Sequence, residues 1–239
     1  MIEFFSDERY NNLHELTEKI NNKLKDCNLN FEDFKNYSIK KFNFLLKKFG
    51  YQNWWPTFYK EKEKKMIEII IGAILTQNTS WKQVEKSLFN LRSNNLISFS
   101  LIEEINKNRD KIVELIRSSG FARRKVETIK ETLLWFKNNK EKIKTMKIRD
   151  LRKELLKIKG IGKETADSII LYALEKPIFV VDNYTKRTLK RDLGIEIKNY
   201  DLLRILFELS FYNKKAKDKI KLFKEFHALI VEENKQFKQ

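Results

Sequence analysis

From Lys65 to about Ala173, apolar residues recur every three to four positions, the spacing that turns one face of an α-helix toward a core. The pattern predicts helices near residues 66–76, 80–92, 100–106, 109–117, 122–138, 148–158 and 163–175. Upstream, a helix is predicted from about Ser38 to Phe49, stopped by Gly50. Gly50 to Phe58, with Trp54, Trp55 and Pro56, reads as an ordered loop, and the charged run Lys60–Lys65 as a solvated helix start. Leu13, Leu16, Ile20 and Leu24 share helical spacing in an otherwise polar stretch, so residues 1–36 read as an added helical appendage. No alternation of period two, internal repeat or low-complexity linker appears. The fold class is all-α.

One stretch, Leu155 to Asp182, is denser in information than the rest. Leu151, Leu155 and Ile158 give one face of a first helix, and Ala166, Ile169, Ile170 and Ala173 one face of a second. Between them Gly160-Ile161-Gly162 leaves room only for a tight turn, in which glycines permit positive φ and close approach of another backbone. The second helix starts just after, so its free N–H groups and positive dipole end lie beside Lys159 and Lys163, an arrangement that suits a phosphate. An apolar run, Ile178 to Val181, then ends abruptly in the carboxylate of Asp182.

Composition narrows the partners. The 239 residues contain six Gly and two Pro and carry a net charge of +17. So few turn formers fit a helical protein, and so basic a chain attracts a polyanion, nucleic acid first. Inflation of Lys, Asn and Ile together accounts for part of the charge. The longest apolar stretch, Ile67 to Leu75, is too short to span a bilayer, and no secretory signal opens the chain. A cytoplasmic, nucleoid-associated monomer with no membrane partner is expected. Cys27 stands alone, which leaves no disulfide, no Cys-rich zinc site and no four-Cys iron–sulfur cluster. No cofactor and no metal are expected.

The hairpin and its trailing Asp182 resemble the helix-hairpin-helix, Gly/Pro-rich loop and catalytic Asp of the endonuclease III superfamily of DNA glycosylases. The resemblance extends over roughly residues 45 to 235. Trp54-Trp55-Pro56, Ile71-Gly72-Ala73-Ile74-Leu75-Thr76-Gln77-Asn78-Thr79-Ser80-Trp81, Ser119-Gly120-Phe121 with Arg123-Arg124-Lys125, Val181 to Arg187 and Phe226 to Val231 follow in that family's order. It is nearest the branch with 3-methyladenine glycosylases lacking an iron–sulfur cluster; many relatives carry that cluster after their final helix, where this chain has no cysteine. The resemblance implies a six-helix barrel with the hairpin, residues 65–175, and a second helical domain from residues 37–64 and 176–239. Asp182 would then lie in a catalytic cleft between the two. It also implies base excision repair on double-stranded DNA containing a damaged base.

Several residues acquire candidate roles. A carboxylate at Asp182 stabilises the positive charge that builds on the sugar as the base departs, and can orient or deprotonate the attacking water. Asp182 also fits an N-cap for a helix starting at Asn183, a use compatible with catalysis. Glu164, the second candidate catalytic residue, is the second residue after Gly162, where bifunctional relatives have the lysine that forms a Schiff base. Glu164 cannot form an imine, and the adjacent Lys163 is rotated about 100° around the helix. Glu164 reads either as a negative group facing the extruded base or as a solvated first-turn residue complementing the dipole. By resemblance Gln77 is the wedge entering the duplex and Trp81 an aromatic wall for the flipped base; core packing is the competing reading of Trp81. Of Trp54 and Trp55, one packs the core and the other closes the base pocket. Lys159, Gly160, Ile161, Gly162, Lys163 and Thr165 of the hairpin, with Arg123, Arg124 and Lys125 at another helix start, are candidates for the DNA backbone. Lys186 and Arg187 read as further backbone contacts or as surface charge. His227, in an apolar setting, reads as a packed, hydrogen-bonded histidine without a catalytic role.

The favoured function is a monofunctional DNA glycosylase acting on an alkylated, 3-methyladenine-like base. The alternatives are a bifunctional glycosylase/lyase for oxidised bases, with Lys159 or Lys163 as nucleophile, and a non-catalytic helix-hairpin-helix module.

Overall fold

A computed structural model describes residues 13–237 as helices joined by short connections, with no strand among the described residues. In chain order these are α1 (Leu13–Leu24), α2 (Phe31–Phe49), α3 (Lys62–Leu75), α4 (Trp81–Ser93), α5 (Ser100–Lys107), α6 (Arg109–Leu115) and α7 (Ala122–Asn138). Then follow α8 (Lys140–Thr145), α9 (Ile148–Lys157), α10 (Lys163–Ser168, continuing as a π-turn over Ile169–Ala173), α11 (Asn183–Leu193), α12 (Tyr200–Ser210) and α13 (Ala216–Gln236). No described helix is long and apolar enough to cross a membrane. The chain forms two compact units: one joins the described residues up to Trp54 to those from Glu175 onward, and the other is Trp55–Leu174.

The first unit is built around phenylalanines. Phe179 stacks on Phe207 with centroids 4.3 Å apart, Phe34 meets Phe207 edge-on at 5.1 Å, and Phe226 lies 5.5 Å from Phe207 and 5.4 Å from Phe42. Such offset and edge contacts add to the burial energy of the rings. α2 starts at Phe31 rather than at Ser38. Asn30 accepts from the Asp33 N–H at 2.9 Å as its N-cap, and the buried Phe31 and Phe34 carry the helix into this core. Leu16, Ile20 and Leu24 of α1 are also buried, so residues 13–36 belong to the unit's packing; the first twelve residues of the expected appendage lie outside the described residues. Ile178 to Val181 is buried without regular structure, and Phe179 N–H donates to Glu208 at 3.0 Å.

In the second unit α3 is the central element. Ile67, Ile69, Ile70, Ile71, Ile74 and Leu75 are buried, and α4, α7 and the π-turn pack against it. Glu68, fully buried on the same helix, pairs with Arg92 at 2.8 Å and accepts from Phe58 N–H at 2.9 Å, which pins the loop after Trp55. α8 has no counterpart in the hydrophobic pattern, because Ile143 is its only buried residue and one apolar position defines no period.

The hairpin turn is anchored from two sides. Thr128 of α7 donates to Lys159 O at 3.1 Å, and Gln77 Nε2 donates to Gly160 O at 2.8 Å. Beneath it Arg152 of α9 and Asp167 of α10 form a buried two-point ion pair at 2.6 and 3.3 Å. The two glycines differ. Gly160 has φ +96°, and a Cβ there would lie 2.2 Å from Thr128 Oγ1; Gly162 has φ −92° and nothing within 4 Å of a Cβ. Positive φ and close internal approach therefore belong to Gly160 alone.

Gly160→Ala is expected to lower folding stability by about 1–3 kcal/mol, since both the overlap and the left-handed backbone penalise a side chain. Gly162→Ala is expected to cost less than ~1 kcal/mol, the loss at an N-cap position. Thermal melts of the two variants check this; equal losses would contradict the difference in packing.

Candidate active site and nucleic-acid interface

In the first unit the centre is Asp182, N-cap of α11 and 8 % exposed. Its Oδ1 accepts from Thr185 N–H at 2.7 Å and Thr185 Oγ1 at 2.8 Å, so the carboxylate is held in place by the helix it caps. Oδ2 lies 3.5 Å from Nε2 of His227 on α13. Burial works against the charged form of Asp182, but the His227 imidazole and the two Thr185 donors outweigh it and hold the carboxyl below the ordinary aspartate value. His227 thus packs beside Asp182, a partnership that its apolar sequence setting does not disclose. Trp54 meets His227 edge-on, centroids 5.9 Å apart. It is held there because Glu225 of α13 accepts from Gln52 N–H at 2.6 Å and Asn53 N–H at 2.8 Å, fixing the residues that precede it. Lys186 and Arg187 are exposed on α11.

In the second unit three aromatic rings come together: Trp55 of the loop before α3, Trp81 at the start of α4 and Tyr172 of the π-turn. Trp55 lies 5.4 Å from Trp81 and 5.2 Å from Tyr172. A Cβ on Gly72 would meet the Trp55 ring at 3.3 Å, so that glycine lets the indole lie on the helix. Trp81 is half-buried and its Nε1 donates to Glu85 at 2.8 Å. Neither Trp55 nor Trp81 is buried as a core residue is, and Tyr172, which sequence reasoning missed, joins them because a π-turn displaces it relative to a regular helix.

Gln77, just beyond α3, is half-buried, and its amide donates to Gly160 O and, at 3.0 Å, to Thr165 Oγ1. The Thr165 hydroxyl faces inward, in a residue that is itself buried, as is Ile161. Lys159, Gly162, Lys163 and Glu164 are exposed. Arg123 and Arg124 are exposed at the start of α7, with Arg123 3.2 Å from Asp110. Lys125 differs from them, and the phosphate contact expected of it gives way to an internal role. Its ammonium is buried and donates to the carbonyls of Leu75, Gln77 and Ser119 at 2.8, 2.9 and 2.7 Å. Helical position explains this: Val126, Ile129 and Leu133 line the buried face of α7, and Lys125 lies at its edge. Among the described residues no group of three or more His, Cys, Asp or Glu is placed to hold a metal ion.

Residues 71–210 match the HhH-GPD superfamily of base excision DNA repair proteins. A candidate DNA repair glycosylase of Methanocaldococcus jannaschii is 43% identical over 205 residues, spanning 83% of this chain and 87% of that protein. Among solved structures, the H. pylori 3-methyladenine DNA glycosylase bound to 1,N6-ethenoadenine is similar with a TM-score of 0.68 at 32% identity, over 82% of this chain and 97% of that one. A trapped endonuclease III–DNA covalent intermediate shares the fold, with a TM-score of 0.61 at 18% identity over 82% and 84% of the two chains.

Because the Asp182 carboxyl is held below its ordinary value, its charge stabilises the folded state above the unfolded-state pKa. That contribution is lost as the pH falls through the lower folded value. Asp182→Asn keeps an N-capping side chain but removes the charge, so it is expected to cost about 1.5–3 kcal/mol at neutral pH, the range for hydrogen bonds to charged groups. The gap should shrink toward acid. Denaturant unfolding of both proteins across pH measures it, and a gap that widened toward acid would contradict the assignment.

Proposed function

The chain belongs to the HhH-GPD superfamily of base excision DNA repair proteins, and from that membership we propose that it is a monofunctional DNA glycosylase for alkylated purines, 3-methyladenine first. The enzyme rotates the damaged nucleotide out of duplex DNA and hydrolyses its N-glycosidic bond. The observation that carries the monofunctional reading is Glu164, exposed in the first turn of α10 at the second residue after Gly162. A carboxylate there cannot attack the sugar carbon as an amine does, so the strand is left unbroken at the abasic site.

Asp182 supplies the chemistry in this reading. Its carboxylate, kept charged by Thr185 and His227, stabilises the sugar cation that develops as the base leaves, and orients or deprotonates the water that replaces it. A 3-methylated adenine is already cationic and leaves readily, so the reaction needs no general acid at the base. The preference for a cationic base is supported by the half-buried faces of Trp81 and Trp55, since an indole face attracts a flat cation by about 1–2 kcal/mol once water is excluded. It is also supported by the relative of 32% identity, a 3-methyladenine DNA glycosylase. Gln77 serves as the wedge that fills the gap in the duplex, its amide giving up the bonds to Gly160 O and Thr165 Oγ1 that hold it in the free protein. The exposed Lys159, Gly162 and Lys163, with Arg123 and Arg124, grip phosphates through backbone N–H groups and cations.

Two linked measurements test the mechanism. Asp182→Asn is expected to lower excision by at least about 10²-fold, as loss of an electrostatic stabiliser does, with affinity for lesion DNA intact or higher because a negative charge near phosphates is gone. Borohydride added during turnover of the wild type is expected to trap no protein–DNA adduct. Near-normal excision by Asp182→Asn would refute the role of that carboxylate. Efficient trapping that vanished in Lys163→Ala or Lys159→Ala would establish the glycosylase/lyase instead.

A further inference from the structure

We propose that Lys125 is a positioning residue for base extrusion, locking the turn that carries Gln77 to the turn that leads into Arg123 and Arg124. The proposal rests on the reading of Gln77 as the wedge. Its ground is the geometry of a buried ammonium, 3 % exposed, whose three donors go to three backbone carbonyls on two separate turns. Leu75 O closes α3, where carbonyls lack helical partners and the dipole is negative, and Gln77 O lies two residues beyond it. Ser119 O ends the short 3₁₀ turn Arg117–Ser119. One cation thus closes both.

Each of these turns holds a residue in the left-handed region. Asn78, next to Gln77, has φ +54°, and Phe121, two residues after Ser119, has φ +51° and is 69 % exposed. Such conformations persist where neighbouring interactions hold them, and the Lys125 ammonium is the hydrogen-bonding group common to both turns. Desolvating a lysine is costly; burial draws the Lys125 pKa down to about 8. The three carbonyls offset that cost only while both turns stay in register. A shift of either turn strands a buried charge, so the arrangement resists displacement of Gln77 and of the arginine-bearing turn when duplex DNA is forced apart. A side chain misplaced by about 1 Å is enough to slow a reaction about 10²-fold.

The test is a double-mutant cycle with Lys125→Met and Gln77→Ala, read by single-turnover excision and by the fluorescence of a 2-aminopurine beside the lesion. Single-turnover rates are normalised to active enzyme, so a loss of folded protein alone does not move them. Each single variant is expected to slow excision and extrusion about tenfold or more at saturating enzyme, where a change in DNA affinity does not enter the rate. The double variant is expected to be no slower than the slower single, because Lys125 acts through Gln77. Multiplied losses in the double variant would overturn the proposal, and so would an effect of Gln77→Ala with none from Lys125→Met. A silent Gln77→Ala would overturn the wedge reading along with it. If Lys125→Met does not fold, the side-chain ¹⁵N signal of Lys125 in the wild type decides. It is expected to shift when duplex containing an abasic-site analogue binds, and to shift less in Gln77→Ala; an unmoved signal would overturn the proposal.

Discussion

At residue 160 the turn between α9 and α10 runs so close to Thr128 that a Cβ would lie 2.2 Å from its Oγ1. The arrangement of the second unit around the hairpin follows from that approach. With the turn seated on α7, Thr128 takes the carbonyl of Lys159 and Gln77 that of Gly160. The acceptors of the turn point inward, and the exposed residues after it begin a helix. With the Lys159 and Gly160 carbonyls spent inside the protein, the exposed start of α10 is what the proposed grip on phosphate would use. Below it the Arg152–Asp167 pair is buried; removing one partner of such a pair costs about 3–5 kcal/mol because a lone charge is left behind.

The first unit solves a different problem, keeping a carboxylate charged after taking it from water. Thr185 donates twice to one oxygen of Asp182 and His227 faces the other. Helix capping and charge stabilisation are served by the same contacts, so the two readings of Asp182 do not compete. Polar anchors of this kind recur. Glu225 fixes the segment before Trp54, and Glu68 fixes the segment after Trp55. The two tryptophans are adjacent in the chain, but one adjoins His227 and the other Trp81 and Tyr172.

Much of this was legible in the chain, and the rest failed for identifiable reasons. α7 occupies the predicted residues 122–138, and α4 and α9 lie within a residue of their predicted ends, because apolar spacing reports a helix that packs by one face. The start of α2 goes unread although Asn30 and Asp33 carry a cap, because the polar stretch around them suggests a surface appendage. α8 goes unread for lack of periodicity. The capping position of Asp182 was readable locally. The bonds from Lys125 to Leu75 and Gln77, the Gln77–Gly160 bond and the Asp182–His227 pair join residues about 45 or more positions apart, and no local pattern encodes a long-range polar contact. The run Arg123-Arg124-Lys125 reads as three phosphate ligands, yet one step around a helix turns a side chain by about 100°, enough to divide two surface cations from a buried one.

The central claim is that a charged Asp182, without a lyase lysine at residue 164, releases an alkylated base and stops there. The direct measurement is mass spectrometry of the products from duplex DNA carrying 3-methyladenine, taken before any alkali. The account predicts free 3-methyladenine in equal amount to an unbroken strand bearing an abasic site. Strand cleavage in step with base release, or no release of 3-methyladenine, would contradict it.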